Sequence, residues 1–232
     1  GEWTATSTTQ PGASRPRARK RFGQHFLEPA WISKLLAVIR PEPDELFVEI
    51  GSGAGQLTLP IAAAGARVTA LDLSEPRLER VVENLARTGL TAEIVAGDSL
   101  THAGEYDAIL LDAPCSATGT IRRHPDLPHA RTGDGIAELI DLQAAMLDHA
   151  LGLLSPGGRL VFCTCSLLPD EGEAQVDAAL ARHPGLRVLP PAADWIEPGW
   201  RSSEGGLRLR PDFWSARGGM DGFYMALLQS VG

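Results

Sequence analysis

Short apolar runs alternate with longer amphipathic stretches along most of the chain. Five runs have the length and residue types of buried strands, over 46–50, 67–72, 92–98, 106–112 and 158–165. Between them lie stretches with helical spacing, one beginning after Ser74 as its N-cap and ending at Gly89, and another over about 136–153. Strands separated by helices predict an α/β fold with a mostly parallel, doubly wound sheet.

Two further segments complete the predicted architecture. Asp170 and Glu173 have the spacing of a capping box, which predicts a helix over 171–183. The tail over 206–229 has strand-like pieces around a glycine-rich connection, so we expect it to add antiparallel strands. The fold class is therefore a Rossmann-like α/β sheet, mostly parallel, with antiparallel strands near the C-terminus.

The candidate functional residues lie at the ends of the apolar runs. Gly51, Asp72, Asp98, Asp112 and Cys165 each lie at or just beyond the end of a predicted strand. The carboxyl ends of parallel strands meet at one edge of a sheet, and open α/β sheets bind their ligands there. The shared location predicts one functional site at that edge.

The loop EIGSGAG after the first strand favours a nucleotide-like cofactor. Glu49 is the penultimate residue of the strand, and Gly51 and Gly53 lack a Cβ, which lets the backbone approach a ligand closely. Asp72 follows the next strand, where a carboxylate suits ribose hydroxyls, and Asp98 lies where an adenine amine would be. Dinucleotides and S-adenosylmethionine share this logic, and either aspartate could instead cap a helix or a turn. The lack of GK[ST] argues against a P-loop.

Composition narrows the class of protein. The chain has 44% apolar and 22% charged residues and no apolar run of membrane-spanning length, so we expect a cytosolic protein with no membrane partner. Three cysteines are too few for a disulfide framework, and their spacing lacks a zinc pattern, so no metal is expected. The net charge of −8 argues against a surface that coats nucleic acid throughout.

The two segments that contain cysteines resemble a known family. DAPCSATGTIRRHPD and CTCSLLPDEGEAQV resemble the two cysteine motifs of the RNA cytosine-5 methyltransferases (the NOL/NOP/Sun family), and specifically their bacterial 16S rRNA branch. GGMDGFYMALL is similar to that branch's C-terminal strand, and the similarity covers about 62–228. The resemblance implies S-adenosylmethionine as the cofactor and RNA as the substrate.

The same resemblance implies roles for individual residues. Cys165 would be the nucleophile that adds to carbon 6 of the cytosine, and Cys115 would assist release of the methylated product. Asp112 would contact the base near ring nitrogen 3 and also the cofactor. A pair of inert, buried small side chains is the alternative for both cysteines, and packing in the core is the expectation for Cys163.

Two basic segments are candidate RNA contacts. The first contains Arg19, Lys20 and Arg21 and is either a solvated tail or an arm that contacts phosphates. The second contains Arg122 and Arg123, which follow Cys115 closely and would hold flanking phosphates unless they belong to a solvated loop.

The N-terminal part departs from that family. RKRFGQHFL and FVEIGSGAGQLTLPIA, over about 19–61, instead resemble the KsgA-type rRNA adenine dimethyltransferases, in which the first segment folds over the cofactor. His25 and Leu27 are therefore implied cofactor contacts, while Gln56 stands where the cytosine family usually carries a lysine. The chain is accordingly predicted to be a hybrid joined near 60–65.

Three hypotheses for the function follow. The first is a monomeric cytosine-5 methyltransferase acting on small-subunit rRNA, with a disordered tail over 1–18 and a catalytic domain over 19–232. The second is an adenine methyltransferase, although the sequence Asp-Ala-Pro-Cys at 112–115 lacks the aromatic residue that usually stacks on adenine. The third is a scaffold that binds cofactor and RNA without turnover, which the lack of the family's usual N-terminal RNA-recognition region favours.

Overall fold

The computed structural model describes residues 29–127 and 133–231, which form an eight-stranded sheet flanked by helices. The helices are α1 (Pro29–Ile39), α2 (Thr58–Ala63), α3 (Glu75–Thr88), α4 (Ile136–Leu151) and α5 (Glu173–Arg182). The strands are β1 (Leu46–Ile50), β2 (Arg67–Asp72), β3 (Glu93–Ala96), β4 (Tyr106–Asp112), β5 (Leu154–Thr164), β6 (Leu186–Leu189), β7 (Leu207–Leu209) and β8 (Phe223–Ser230).

The order of the strands confirms the predicted fold class. The sheet runs β3-β2-β1-β4-β5-β8-β6, with β7 paired to β8 outside this path. Strands β1 to β5 pair in parallel, whereas β8 is antiparallel to β5, β6 and β7. The chain reverses direction across the sheet between β1 and β4, and such switch points are where open α/β sheets bind ligands.

Alternating residues of the central strands build a core on each face of the sheet. In β4, Ala108 and Leu110 pack with residues of α1 and α2, while Ile109 and Leu111 pack with residues of α4 and α5. The period of two in a strand sends neighbouring side chains to opposite faces, so an apolar strand must be covered on both sides. The helices therefore cover both faces and leave the strand ends as the open edge.

The sequence located most of these elements correctly. Strands β1, β2 and β4 have the predicted bounds, and α3 ends at Gly89 in the left-handed conformation with φ of 68°. Strand β5 begins earlier than predicted and ends at Thr164, so Cys165 lies beyond the strand. Strand β3 is shorter than predicted, and β6 was not predicted.

Of the two predicted helix starts, one has the predicted N-cap residue and the other does not. Gly172 occupies the N-cap position of α5, and Asp170 lies in a short 3-10 helix before it, so no capping box forms. Ser74 does hold the N-cap position of α3, but its side chain makes no capping hydrogen bond. Its backbone N–H instead donates to Oδ1 of Asp72, at 2.8 Å.

The ends of the parallel strands bring the predicted site residues together. Pairing places Asp112 of β4 opposite Cys163 of β5, and Ile50 of β1 opposite Leu111. The loops after β1, β2, β4 and β5 therefore begin at one edge of the sheet. Across the described part of the chain, every helix is too short or too polar to cross a membrane.

Candidate active site

The glycine loop after β1 lies against the end of β4. Gly51 has φ of +87°, and a Cβ built on it would lie 2.7 Å from the carbonyl oxygen of Asp112. Its N–H donates to the carbonyl oxygen of Leu71 in β2, at 2.9 Å. A side chain here would be strained and would also collide with backbone, so this position requires glycine.

Asp72 fastens the glycine loop to the end of β2. Its carboxylate accepts hydrogen bonds from the N–H groups of Gly53, at 3.0 Å, and Ser74, at 2.8 Å. Arg77 in α3 approaches the same carboxylate at 3.7 Å. Asp72 is buried, and these contacts compensate its charge. The residue therefore shapes the loop, in addition to the contact with ribose predicted for it.

Glu49 is a buried acid directly beneath the loop. It is 3% exposed, and the hydroxyl of Thr58 in α2 donates to its carboxylate. Burial raises the pKa of Glu49 to about 8, although the Thr58 hydrogen bond lowers it, and the nearby charges of Asp112 and Asp72 also raise it. Glu49 is therefore largely protonated at neutral pH and can donate a hydrogen bond.

Asp112 ends β4 between the glycine loop and the cysteines. Solvent reaches its side chain, yet the protein around it displaces enough water to raise its pKa to about 7, with the Asp72 charge adding to the effect. The Cys163 thiol, with Sγ 3.9 Å from Oδ1, and Arg77 act in the opposite direction. Asp112 can therefore exchange a proton near neutral pH.

Asp98 has the geometry of a turn residue. Its Oδ1 accepts the N–H of Leu100 at 2.9 Å, and its carbonyl accepts the N–H of Thr101 at 3.0 Å. The side chain is exposed after β3. This turn occupies the carboxylate locally, and the contact with an adenine amine stays a prediction.

Cys115 and Cys165 lie side by side although they belong to different loops. Their Sγ atoms are 3.4 Å apart, with Cys115 buried after β4 and Cys165 partly exposed after β5. The hydrogen bond with Cys165, together with burial, raises the pKa of the Cys115 thiol well above its usual range. Cys115 thus keeps its proton and can donate it in a hydrogen bond to Cys165.

Cys163 is a core residue, as predicted. It lies on β5 opposite Met225, is 1% exposed and donates to the carbonyl of Leu111 at 3.6 Å. Burial raises the pKa of its thiol well above the usual range. Only Thr164 separates it from Cys165, yet Cys163 is buried and Cys165 is partly exposed.

A buried polar cluster under the two cysteines was missed by the sequence analysis. Glu171, at the end of the 3-10 helix before α5, accepts hydrogen bonds from Ser116 and Gln143. Ser166 meets Ser116 with 3.2 Å between the hydroxyl oxygens. The spacing of Asp170 and Glu173 pointed only to a helix cap, and no spacing rule connects Glu171 with Gln143, 28 positions away.

The glycine-rich connection between β7 and β8 also contacts the cysteine loops. Gly222 donates to the carbonyl of Gly119 at 2.8 Å, and Gly119 donates to the carbonyl of Cys165 at 2.9 Å. A Cβ on Gly119 would lie 2.0 Å from the carbonyl oxygen of Gly222. Two glycines thus allow this loop to close against the backbone of Cys165.

The two arginines predicted to contact RNA near the cysteines bond to this glycine-rich connection. Arg122 donates to the carbonyl of Gly218, and Arg123 pairs with Asp221 at 2.6 Å. Arg122 is exposed beside the cysteine loops. The remaining predicted contacts lie outside the described residues: Arg19, Lys20, Arg21, His25 and Leu27.

The residues of the glycine loop fit a nucleoside cofactor. Gly51 leaves no room for a Cβ, because its backbone lies against the carbonyl group of Asp112 at the end of β4. The hydroxyl of Ser52 is buried, and no hydrogen-bond partner for it exists among residues 29–127 and 133–231. A buried polar atom without a partner is rare in proteins and suits a site that a polar ligand completes.

The sheet order, the glycine loop after β1 and the acid after β2 define the Rossmann-like fold of the S-adenosylmethionine-dependent methyltransferases. Fold and family together assign S-adenosylmethionine as the cofactor. The chain belongs to the 16S rRNA methyltransferase RsmB/F family, whose family model matches residues 36–229.

Individual relatives agree with this assignment. The chain is 40% identical over 200 residues to ribosomal RNA small subunit methyltransferase B of Vibrio cholerae, with 83% of this chain and 43% of the relative covered. The chain therefore spans less than half of that relative's length. A methyltransferase homolog from Pyrococcus horikoshii has a TM-score of 0.71 at 31% identity, covering 86% of this chain and 65% of its own. NSun6 from Pyrococcus horikoshii, solved with SFG, has a TM-score of 0.75 at 27% identity, covering 88% and 52%.

The comparisons do not support the predicted hybrid. The family match runs without a break across the expected join at 60–65 and includes the glycine loop. Within the matched residues, the resemblance to adenine dimethyltransferases rested on the glycine loop, and a glycine turn after β1 serves the same purpose in many nucleotide-binding sheets.

Proposed function

We propose that the chain transfers the methyl group of S-adenosylmethionine to carbon 5 of a cytosine in RNA, with small-subunit rRNA as the substrate. The observation that carries the proposal is the pair of thiols, with Sγ atoms 3.4 Å apart, at the same sheet edge as the glycine loop. The names of the curated relatives, which are small-subunit rRNA methyltransferases, support the choice of RNA.

Cys165 is the nucleophile in this proposal. Carbon 5 of cytosine is a weak nucleophile, and a thiolate that adds to carbon 6 makes the ring enamine-like and activates carbon 5. Cys165 is the more exposed thiol of the pair and lies beyond the strand, where a base can reach it. The cofactor, when bound, supplies an electrophilic methyl group.

Asp112 and Cys115 manage protons in this scheme. With a pKa of about 7, Asp112 can hold a proton near ring nitrogen 3 while the thiolate adds. After methyl transfer, a base takes the carbon 5 proton, the electrons of that bond form the double bond between carbons 5 and 6, and Cys165 leaves carbon 6 with the electron pair on its sulfur. Cys115 holds its proton 3.4 Å from that sulfur and can stabilise it as it leaves.

The cofactor contacts are assigned to the glycine loop and its neighbours. Gly51 and Gly53 supply backbone close to the ligand, Asp72 the ribose contact, and protonated Glu49 a hydrogen-bond donor. His25, Leu27 and Asp98 remain predicted contacts, as do Arg19, Lys20 and Arg21 for RNA. We further propose that the protein acts as a monomer in the cytosol.

Adenine methylation has weaker support. Asp112, Ala113, Pro114 and Cys115 follow β4, where that chemistry uses an aromatic residue to stack on the base. The structure places a thiol there, next to a second thiol. The scaffold hypothesis accounts for the fold but leaves the proximity of the two thiols without a purpose.

Trapping of a covalent intermediate tests the proposal. The Cys115→Ala variant should form an adduct with small-subunit rRNA in the presence of S-adenosylmethionine, stable to denaturing electrophoresis, because release from Cys165 is impaired. The double variant Cys115→Ala, Cys165→Ala should form none, and Cys115→Ala, Cys163→Ala should form as much as the single variant. An adduct that persists without Cys165 would refute its role as nucleophile.

A further inference from the structure

Glu171 is a buried acid that the proposed chemistry does not use. It is 0% exposed, and its carboxylate accepts three hydrogen bonds: from the Ser116 N–H at 2.9 Å, the Ser116 hydroxyl at 2.5 Å and the Gln143 amide at 3.0 Å. A carboxylate in the interior must be compensated in this way, and bonds to a charged acceptor are stronger than neutral ones. The chain therefore commits three donors to holding one side chain.

The backbone of Glu171 is tied to the other cysteine loop. The hydroxyl of Thr164 donates to the carbonyl of Glu171 at 2.9 Å. Thr164 directly precedes Cys165, and Ser116 directly follows Cys115. One residue thus bonds to the neighbour of each cysteine, through its carbonyl on one side and its carboxylate on the other.

Further contacts between the two loops surround Ser116. The Ser116 and Ser166 hydroxyl oxygens are 3.2 Å apart, as are those of Thr118 and Ser166. The N–H of Leu167 donates to the Thr118 hydroxyl at 2.9 Å. Without an acceptor of the right reach for Ser116, this set of small hydroxyls has no fixed arrangement.

We propose that Glu171 is a positioning residue that sets the separation between the Sγ atoms of Cys115 and Cys165. It acts through Ser116 and Thr164 and contacts neither the base nor the cofactor. The consequence for catalysis rests on the proposed function, whereas the separation of the thiols is a property of the chain alone.

Reach and charge can be separated by substitution. Glu171→Gln keeps the length of the side chain, and its amide oxygen can still accept the Ser116 N–H and the Gln143 amide while Ser116 turns its hydroxyl. Glu171→Asp keeps the charge but is shorter by one carbon–carbon bond, about 1.5 Å, too much for a hydrogen bond to span. Positioning predicts that the aspartate is the more damaging variant.

Oxidative cross-linking measures the thiol separation without RNA. Diamide, a diazene dicarboxamide, takes the two thiol hydrogens and becomes the hydrazine while the Sγ–Sγ bond forms. Peptide mass spectrometry then gives the rate of the Cys115–Cys165 disulfide. We expect wild type and Glu171→Gln to agree within about threefold, and Glu171→Asp to be slower by about tenfold or more.

Two further variants serve as comparisons. Asp170→Asn removes the neighbouring exposed carboxylate and should match the wild-type rate. Ser116→Ala removes one donor to Glu171 from the other side and should slow cross-linking in the same direction, so the proposal is tested even where Glu171→Asp fails to fold. Equal rates in wild type, Glu171→Asp and Ser116→Ala would overturn it.

Methyl transfer to small-subunit rRNA supplies the second measurement. Glu171→Asp should lower kcat about tenfold or more with KM for RNA and cofactor little changed, and Glu171→Gln should restore most of kcat. A rise in KM alone would contradict positioning. Cross-linking in the expected order without methylation of RNA would support the positioning role and count against the proposed function, so the two failures are distinguishable.

Discussion

The two halves of the site are built by different means. On the proposed cofactor side, the glycine loop lies beside the acids Glu49 and Asp72. Gly51 lies too close to the backbone of Asp112 for a side chain, and Asp72 accepts the N–H of Gly53. On the cysteine side, a buried carboxylate and small hydroxyls hold two loops at a separation of 3.4 Å between sulfurs. The first half therefore depends on the absence of a side chain at Gly51, and the second depends on hydrogen bonds between the two cysteine loops.

The two halves should therefore be impaired by different kinds of substitution. A loop that packs through a glycine fails through added atoms, which push the loop away from the end of β4 and so change the proposed cofactor site. A pair of thiols fails through removed atoms or lost hydrogen bonds, which leave cofactor binding intact. Substitutions on the two sides should therefore separate binding from chemistry.

The largest effect is expected at Cys165. Cys165→Ala should lower methyl transfer to rRNA by on the order of a thousandfold or more, since a covalent route has no substitute once its nucleophile is gone. Cofactor affinity, measured by calorimetry, should not change. Cys163→Ala is the matched control two positions away, and we expect nearly full activity with a stability loss of about 1 kcal/mol. Equal activity in the two variants would remove the distinction between them.

Gly51→Ala should act on the other half. The new Cβ would lie 2.7 Å from the carbonyl of Asp112 at a φ of +87°, so the loop must move. We expect cofactor affinity to fall about 100-fold, roughly 2.7 kcal/mol. Gly97→Ala is the control, because the nearest atom to its added Cβ is 4.0 Å away. Tight cofactor binding by Gly51→Ala would show that the cleft does not depend on this backbone contact.

The buried acid Glu49 makes stability depend on pH. Its pKa is about 8 in the folded protein against an ordinary 4.5, so between these values the unfolded chain loses a proton that the folded chain keeps. The contribution of Glu49 to the free energy of unfolding is therefore complete below about pH 4.5 and is lost as pH rises to about 8, by roughly 5 kcal/mol. Glu49→Gln should flatten the curve from urea unfolding at pH 5 to pH 8.5. Parallel curves for variant and wild type would contradict the raised pKa.

The smallest effect is expected at the rim of the cysteine half. Arg122→Ala should raise KM for RNA about threefold to tenfold and reduce the slope of log KM against log salt by about one, because one phosphate contact is lost. Arg67, exposed at the start of β2 on the opposite edge of the sheet, provides the control Arg67→Ala. Equal shifts in both variants would indicate a general charge effect instead of a contact.

Sequence patterns located the strand ends of the glycine-loop half correctly but revealed the contacts of the cysteine half only in part. Gly51 and Asp72 follow strands whose bounds the apolar runs fixed, so position alone located them. The motifs named Cys115 and Cys165, but their contact depends on two loops that converge only in the folded sheet. Glu171 carries no local signal, since a single glutamate before a helix usually serves its N-terminus. Gly119 and Gly222 meet across 103 positions, which no periodicity records.

Identification of the methylated base tests the central claim most directly. Small-subunit rRNA is incubated with the protein and S-adenosylmethionine carrying a deuterated methyl group, digested to nucleosides and analysed by mass spectrometry. We expect label in 5-methylcytidine with the wild-type protein and no label with Cys165→Ala. Label in methylated adenosine, or in 5-methylcytidine at equal yield without Cys165, would contradict it.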